Sequence, residues 1–525
     1  MNSEDKGKRT SETPRTKSNK PSGTLFLFVL LHLLIALPLA YILNIWVDEA
    51  STLNTTQNGL YAAFQNTLSD EKQAPLYYWA LSLWRCLDGS IFFARLFSVL
   101  FSVAAIGLFF RLANRLWTKK IAEFSTFFFA LHPYLVWASL EIRVYSLVIM
   151  LTLLLLNLFF DGFLRFEKGE PAGSSDQGKT ARILYPLVAI VSLYSNYYLG
   201  FILVACFIVL VTQRRLREAK IYILQMILVG VFFLPLLYAI KTQLDLRNST
   251  YFEPTNFIEG LKLLWGHFLT IVLPTEIYNP ENISLASYLR LWFVRFAIFF
   301  VAIAMILKRA VRNKVLIFGV ISAVVMTFLY YSYFLLGPWM LEIRHVAVLF
   351  PPLVLFLLAV AISIAPKGKT NGFYYYASIA ILLTCSYSYA LFNLHPNLTK
   401  LGDWERVSKY IEENESEDQP IFVFPNFEAL ALPYYYDGKN KVFPKENFHK
   451  WFAEAEYGSE GTWTNQIRHY VSIIPKNKDE IWLITYLHCQ TTNACAPLEK
   501  YIDANYTTVK QKDFYNERVR LLRKK

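Results

Sequence analysis

The chain has 525 residues, of which 54% are hydrophobic and only 18% charged, and its formal net charge is +12. Soluble domains of this length are not so apolar, and apolar runs of about 18 residues or more recur, each able to cross a bilayer core about 30 Å thick. The class is therefore a polytopic α-helical membrane protein, and the placement of its basic residues between the apolar runs argues against the nucleic-acid reading that the charge invites.

A polar cytoplasmic tail, residues 1–22, precedes the first run, "LFLFVLLHLLIALPLAYIL" at 25–43. No small-x-small cleavage site ends that run, so it reads as a retained first helix rather than a signal peptide. Further spans are predicted near 91–110, 121–138, 143–160, 183–195, 198–213, 221–240, 289–307, 315–335, 346–365 and 373–392, about eleven in all. Alternate connections are basic. They hold Lys6 to Lys20 in the tail, Arg111 to Lys120, Arg165 with Lys168, Lys179 and Arg182, Arg214 to Lys220, Lys308 to Lys314, and Lys367 with Lys369. The positive-inside rule puts these loops in the cytoplasm, in what would be a bacterial plasma membrane. The opposite, extracytoplasmic face then carries loop 44–90, the turn 139–142, loop 241–288, the turn 336–345 and everything after about 393.

Residues 393–525 change character and read as a small extracytoplasmic α/β domain following a membrane domain at 23–392. "DWERVSKYIEE" has helical periodicity, "PIFVFP" and "DEIWLITYLH" read as buried strands, and "VRLLRKK" as an edge strand or a frayed tail. Cys489 and Cys495 lie close together; their compartment permits a disulfide, and the spacing leaves both states open.

Four polar sites on the external face stand out, because charge near hydrocarbon is costly and marks function by default. Asp48 and Glu49 follow Trp46 where the first run ends; the bland reading is an interfacial Trp with two solvated acids. Lys72 precedes "PLYYW" in a stretch suited to lie on the membrane surface, and is either a surface lysine or a phosphate ligand. Glu141 and Arg143 share a turn too short to leave the membrane plane; the alternative is a local pair closing that turn. Arg344, followed by His345, leads into a late span, where a snorkelling arginine is the plain alternative. Together these sites carry carboxylates that suit activation of an acceptor and cations that suit an anionic leaving group.

An apolar first helix ending in Asp-Glu, then "PLYYW", then "ARLFSVLFSVAAI" (Ala94 to Ile106), resembles the protein O-mannosyltransferase-like superfamily of GT-C glycosyltransferases, which includes the lipid A aminoarabinose transferases. "EIRVYSL", "RHVAVLFPPL" and the C-terminal "DWERVSKYIEE…QPIFVFP" fit the same pattern. The resemblance implies an inverting membrane transferase that takes a sugar from a polyprenyl-phosphate donor to an extracytoplasmic lipid, glycan or protein acceptor. It implies catalytic roles for Asp48, Glu49 and Glu141 and donor-phosphate binding by Lys72, Arg143 and Arg344. Where many members read His-Pro-Pro, this chain reads Gln73-Ala74-Pro75, which implies an altered donor pocket. A divalent cation is compatible with this chemistry, but no ligand cluster in the sequence demands one. A transporter or flippase is the reading from another class; it calls for polar, broken segments at the midplane in two matching halves.

Overall fold

The computed structural model describes residues 23–164, 176–248, 256–275, 285–307, 313–337, 340–366, 368–443, 467, 471–474, 477–486, 489 and 495–525. The expectations on the tail 1–22 and on Arg165, Lys168, Lys308, Arg309, Arg312 and Lys367 lie outside these residues.

Helix α1 (Gly23–Ile42) is followed by three short helices, α2 (Val47–Thr56), α3 (Gly59–Asn66) and α4 (Leu76–Arg85), with a π-helical turn at Thr67–Glu71. Then come α5 (Ile91–Leu116), α6 (Lys119–Ala130), α7 (Pro133–Leu140), α8 (Tyr145–Gly162), α9 (Asp176–Ser195), α10 (Leu199–Thr212) and α11 (Leu216–Asn248). The helical part closes with α12 (Phe257–Val272), α13 (Leu285–Leu307), α14 (Asn313–Leu336), α15 (Phe350–Ile364) and α16 (Lys369–Phe392). Among the described residues seven helices are long and apolar enough to cross a membrane, falling in α1, α5, α8, α11, α13, α14 and the stretch Lys369–Leu398; α10 and α15 are shorter apolar helices.

Two expected features differ. The span predicted at 121–138 is two helices, α6 and α7, because His132 leaves helical geometry and its Nδ1 accepts from Tyr134 N at 3.1 Å, starting a new helix at Pro133. Loop 241–288 is partly helical: α11 continues to Asn248, and Asn256 caps α12 by accepting from Ile258 N at 2.9 Å. Helix α8 is buried along nearly its whole length, packed against α5 and α9, and so forms the centre of the bundle.

The C-terminal part is a five-stranded sheet in the order β2-β1-β3-β5-β4, from β1 (Ile421–Phe424), β2 (Val442–Phe443), β3 (Glu480–Tyr486), β4 (Tyr506–Asp513) and β5 (Glu517–Lys524). Strand β1 is parallel to β2 and β3, whereas β5 is antiparallel to β3 and β4. "VRLLRKK" therefore lies inside the sheet and not on its edge. Helix α17 (Trp404–Asn414) covers one face, where Ile421, Val423, Trp482 and Ile484 cluster with Trp404, Val407 and Ile411. Helix α18 (Ala496–Asn505) covers the other, where Phe422, Phe424, Ile481 and Leu483 cluster with Leu498 and Ile502. Alternate residues thus point into two cores, and this is why these strands read as unbroken apolar runs. Cys489 and Cys495 are disulfide-bonded.

Candidate functional site

The site begins where α1 ends. Residues 43–46 leave the helix and α2 starts at Val47, so Asp48 and Glu49 stand in one helical first turn, where carboxylates suit the helix dipole. Consecutive helical residues point about 100° apart. The two acids therefore part company: the Glu49 side chain is 0% exposed and the Asp48 side chain 23%.

Glu49 enters a closed network. It pairs with Arg95 of α5 at 3.2 Å and with Lys400 at 2.8 Å, and accepts from Ile142 N at 3.0 Å. Arg95 also donates to the carbonyls of Ala40 (3.0 Å), Leu43 and Asn44 (2.6 Å), satisfying the free end of α1. Lys400 bridges to Glu141 at 3.0 Å and donates to Leu140 O at 2.7 Å. The second Glu141 oxygen accepts from Trp46 Nε1 at 2.7 Å. Burial alone raises the Glu49 carboxyl, but Arg95 and Lys400 outweigh it and hold it below its ordinary value. At Glu141 burial wins and the carboxyl is pushed up, against the pull of Lys400. Burial lowers Lys400. Two cations and two carboxylates make the cluster neutral, and every charge in it has a partner.

Asp48 faces the other way, into a half-open cationic group. Its Oδ2 accepts from Arg344 Nη1 and lies 3.9 Å from Arg143 Nη2. Arg143 is fixed by Glu71 at 2.6 Å, by Thr52 Oγ1 at 2.8 Å and by the Asp48 carbonyl at 3.3 Å. Glu71 is held in turn by Ser51 and by the Tyr78 hydroxyl, both at 2.8 Å. Arg344 Nε is 2.6 Å from Glu342, the residue that caps the 3-10 turn Ile343–Val348 leading into α15. Burial, opposed by Arg344 and reinforced by Asp48, raises the Glu342 carboxyl. Lys72 follows Glu71 directly; it is exposed and has a left-handed backbone, φ 50°, at the exit of the π-helical turn.

The C-terminal sheet reaches the same place. Tyr435 accepts from Ile45 N at 2.6 Å, and the Tyr434 hydroxyl lies 3.5 Å from the Ala50 carbonyl. Glu428, on the turn before these tyrosines, is buried; burial first, then Glu517 and Asp48, push its carboxyl well above the ordinary range.

The structure thus brings Asp48, Arg143 and Arg344 together in one group and sets Glu49 and Glu141 into another, with Lys72 next to Glu71 at the margin. Sequence reasoning passed over Glu71, Arg95, Glu342 and Lys400. Arg95 carried a signal: it is the lone charge in the apolar stretch 91–110. Glu71 is the neighbour of Lys72, which drew attention instead. Lys400 carried none, since its partner Glu49 is far away in sequence. Among the described residues no group of three or more His, Cys, Asp or Glu is placed to hold a metal ion.

No protein-family profile and no curated protein matches the sequence. Solved structures do. ArnT from Cupriavidus metallidurans bound to undecaprenyl phosphate matches over 96% of this chain and 98% of its own, at 12% identity and a TM-score of 0.55. Its apo state matches over 95% and 98%, at 12% identity and a TM-score of 0.52. The oligosaccharyltransferase AglB from Archaeoglobus fulgidus, in complex with an inhibitory peptide and a dolichol-phosphate, matches over 92% of this chain and 72% of its own, at 12% identity and a TM-score of 0.51. The chain has the GT-C fold. It is an integral membrane protein, and the GT-C likeness runs through both the helical bundle and the C-terminal sheet, since it covers nearly the whole chain.

Proposed function

We propose that this protein is an inverting glycosyltransferase that moves a sugar from a polyprenyl-phosphate donor to an acceptor outside the cytoplasm. The carrying observation is the partly exposed Asp48 carboxylate flanked by Arg344 and Arg143 at the end of the first span. The GT-C fold supports the reading, and matched structures hold undecaprenyl phosphate or a dolichol-phosphate. The basic connections favour a cytoplasmic N-terminal tail, with residues 393–525 on the side of the acceptor.

In this reading the donor phosphate takes Arg344 away from Asp48, because a phosphate competes for the same guanidinium donors. Asp48 is then free to accept a hydrogen bond from the acceptor's O–H or N–H. The acceptor atom bonds to the anomeric carbon from the face opposite the phosphate, and the bond from that carbon to the phosphate oxygen breaks. The electron pair leaves with polyprenyl phosphate, and the acceptor proton passes to Asp48. Arg143, Arg344 and Lys72 stabilise the growing phosphate charge. Glu49 and Glu141 take positioning roles here, since every oxygen they offer is already engaged by Arg95, Lys400, Ile142 N or Trp46.

The test is Asp48→Asn in purified protein reconstituted with a polyprenyl-phosphate sugar. Transfer is expected to fall by about 10²–10⁴-fold with an unchanged melting temperature. Full transfer activity in that variant overturns the mechanism.

A further inference from the structure

A cleft of about 700 Å³ opens on the C-terminal sheet, lined by none of the residues of the two networks above. Its volume is within the range of about 300–1,000 Å³ usual for small-ligand sites. One wall is α17, through Arg406, Lys409 and Tyr410; the other is the end of β4, through Lys512, with the turn into β5, through Phe514. Asp403 lies in the lining, three residues after Lys400, and its backbone N–H donates to Glu517 at 2.9 Å.

The charges in this cleft are unevenly matched. Asp403 is neutralised by Arg406 at 3.1 Å, and Asp513 is held by Arg518 outside the cleft through bonds of 2.8 and 3.2 Å. Lys512 has no carboxylate partner among the described residues. Its ammonium instead lies 4.8 Å from the Tyr410 ring centre and 5.1 Å from that of Phe514. Two aromatic faces fix a lysine that otherwise samples many rotamers, so its charge is pre-set toward the cleft. Lys409, on the α17 wall, adds a second cation without a carboxylate partner among the described residues, against one acid so placed, Glu413. Two ammonium groups without carboxylate partners, one of them pre-positioned between aromatic rings, outnumber the one unpaired acid and make a cleft suited to an anion.

We propose that this cleft binds an anionic saccharide bearing carboxylate groups, as the acceptor glycan of the transfer. The identity of that saccharide as acceptor rests on the glycosyltransferase reading; its binding does not. Asp403 in the lining is three residues from Lys400, which pairs with Glu49, the neighbour of Asp48.

The experiment is a binding titration on full-length protein in detergent, without donor. The probes are trigalacturonate, the uncharged maltotriose, and glycerol 1-phosphate as a lipid-headgroup mimic. Trigalacturonate is expected to bind about tenfold tighter than maltotriose, and the Lys409→Ala/Lys512→Ala variant to lose about that factor. Both lysines are exposed, so this variant keeps the fold, which its melting temperature verifies. A second variant, Tyr410→Leu, keeps the Lys512 charge but removes one of the two rings that position it, and is expected to weaken trigalacturonate binding. Equal binding of the two trisaccharides, or binding untouched by the lysine variant, overturns the proposal. Tighter binding of glycerol 1-phosphate than of trigalacturonate also overturns it, in favour of a lipid headgroup. Because no donor is present, a negative result leaves the role of Asp48 untouched. An active Asp48→Asn protein equally leaves the binding result standing.

Discussion

Lys400→Met removes the cation shared by two buried carboxylates and is the sharpest available probe of the network beneath Asp48. The Lys400 ammonium is 2.8 Å from Glu49 and 3.0 Å from Glu141, in a side chain 2% exposed. At an effective dielectric of about 20, each such contact carries on the order of 5 kcal/mol of attraction. Much of that is offset by the several kcal/mol needed to strip water from the ammonium, so the expected net loss is about 3–5 kcal/mol. Glu141, already raised by burial, relieves part of the deficit by taking a proton. A carboxyl raised in the folded state stabilises at low pH and loses that contribution as pH rises through its folded value. The deficit of Lys400→Met is therefore smaller at pH 5 than at pH 8. In Lys400→Met/Glu141→Gln one cation and one anion are gone, neutrality returns, and the amide oxygen still accepts from Trp46. This double variant is expected to recover about 2 kcal/mol over the single one. Reversible unfolding in mixed micelles, followed by tryptophan fluorescence, measures all three proteins. Additive losses in the double variant, or a deficit independent of pH, refute the reasoning.

The sheet makes a second pH prediction, through Glu517, whose carboxyl burial lifts from 4.5 to about 8. Its contribution is fully present below about pH 4.5 and is lost as pH rises to about 8, on the order of 5 kcal/mol. Glu517→Gln is expected to flatten the fall of the melting temperature between pH 5 and 8, leaving the slope due to Glu428, which burial also raises; an unchanged slope refutes this. Gly402→Ala is expected to cost at least about 2 kcal/mol. The residue has φ +100°, and a Cβ there would lie 2.7 Å from Glu517 Oε1 and closer still to Trp404 Nε1. A wild-type melting temperature in that variant contradicts the packing described.

Elements buried all round or on both faces were legible as unbroken apolar runs, as α8, β1 and β3 illustrate. The break at His132-Pro133 was not, although a proline was visible, because proline by itself does not decide. Pro38, Pro186 and Pro235 all lie inside unbroken helices. What ends α6 is the His132 side chain capping the next helix, an interaction no hydropathy window registers. Similarly, "VRLLRKK" reads as an edge strand or a frayed tail, and only pairing on both sides, with β3 and β4, makes it central. At the site, the Asp48-Glu49 pair announced itself, but the division of labour between the two acids depends on which way α2 turns. Arg344 reaches Asp48 across 296 positions, a distance over which sequence pattern is silent.

The span of these contacts also orders the protein's biogenesis. Arg95 follows Glu49 by 46 positions, so the two can neutralise each other while only the first helices are in the membrane. Glu141 arrives next into the same buried place without a cation of its own, and Lys400 follows it only after the last span. Until Lys400 docks, Glu141 lacks the cation it pairs with in the finished fold. The segment around Lys400 is thus the final strap of the membrane bundle, and a chain halted before it would leave the floor beneath Asp48 unsealed.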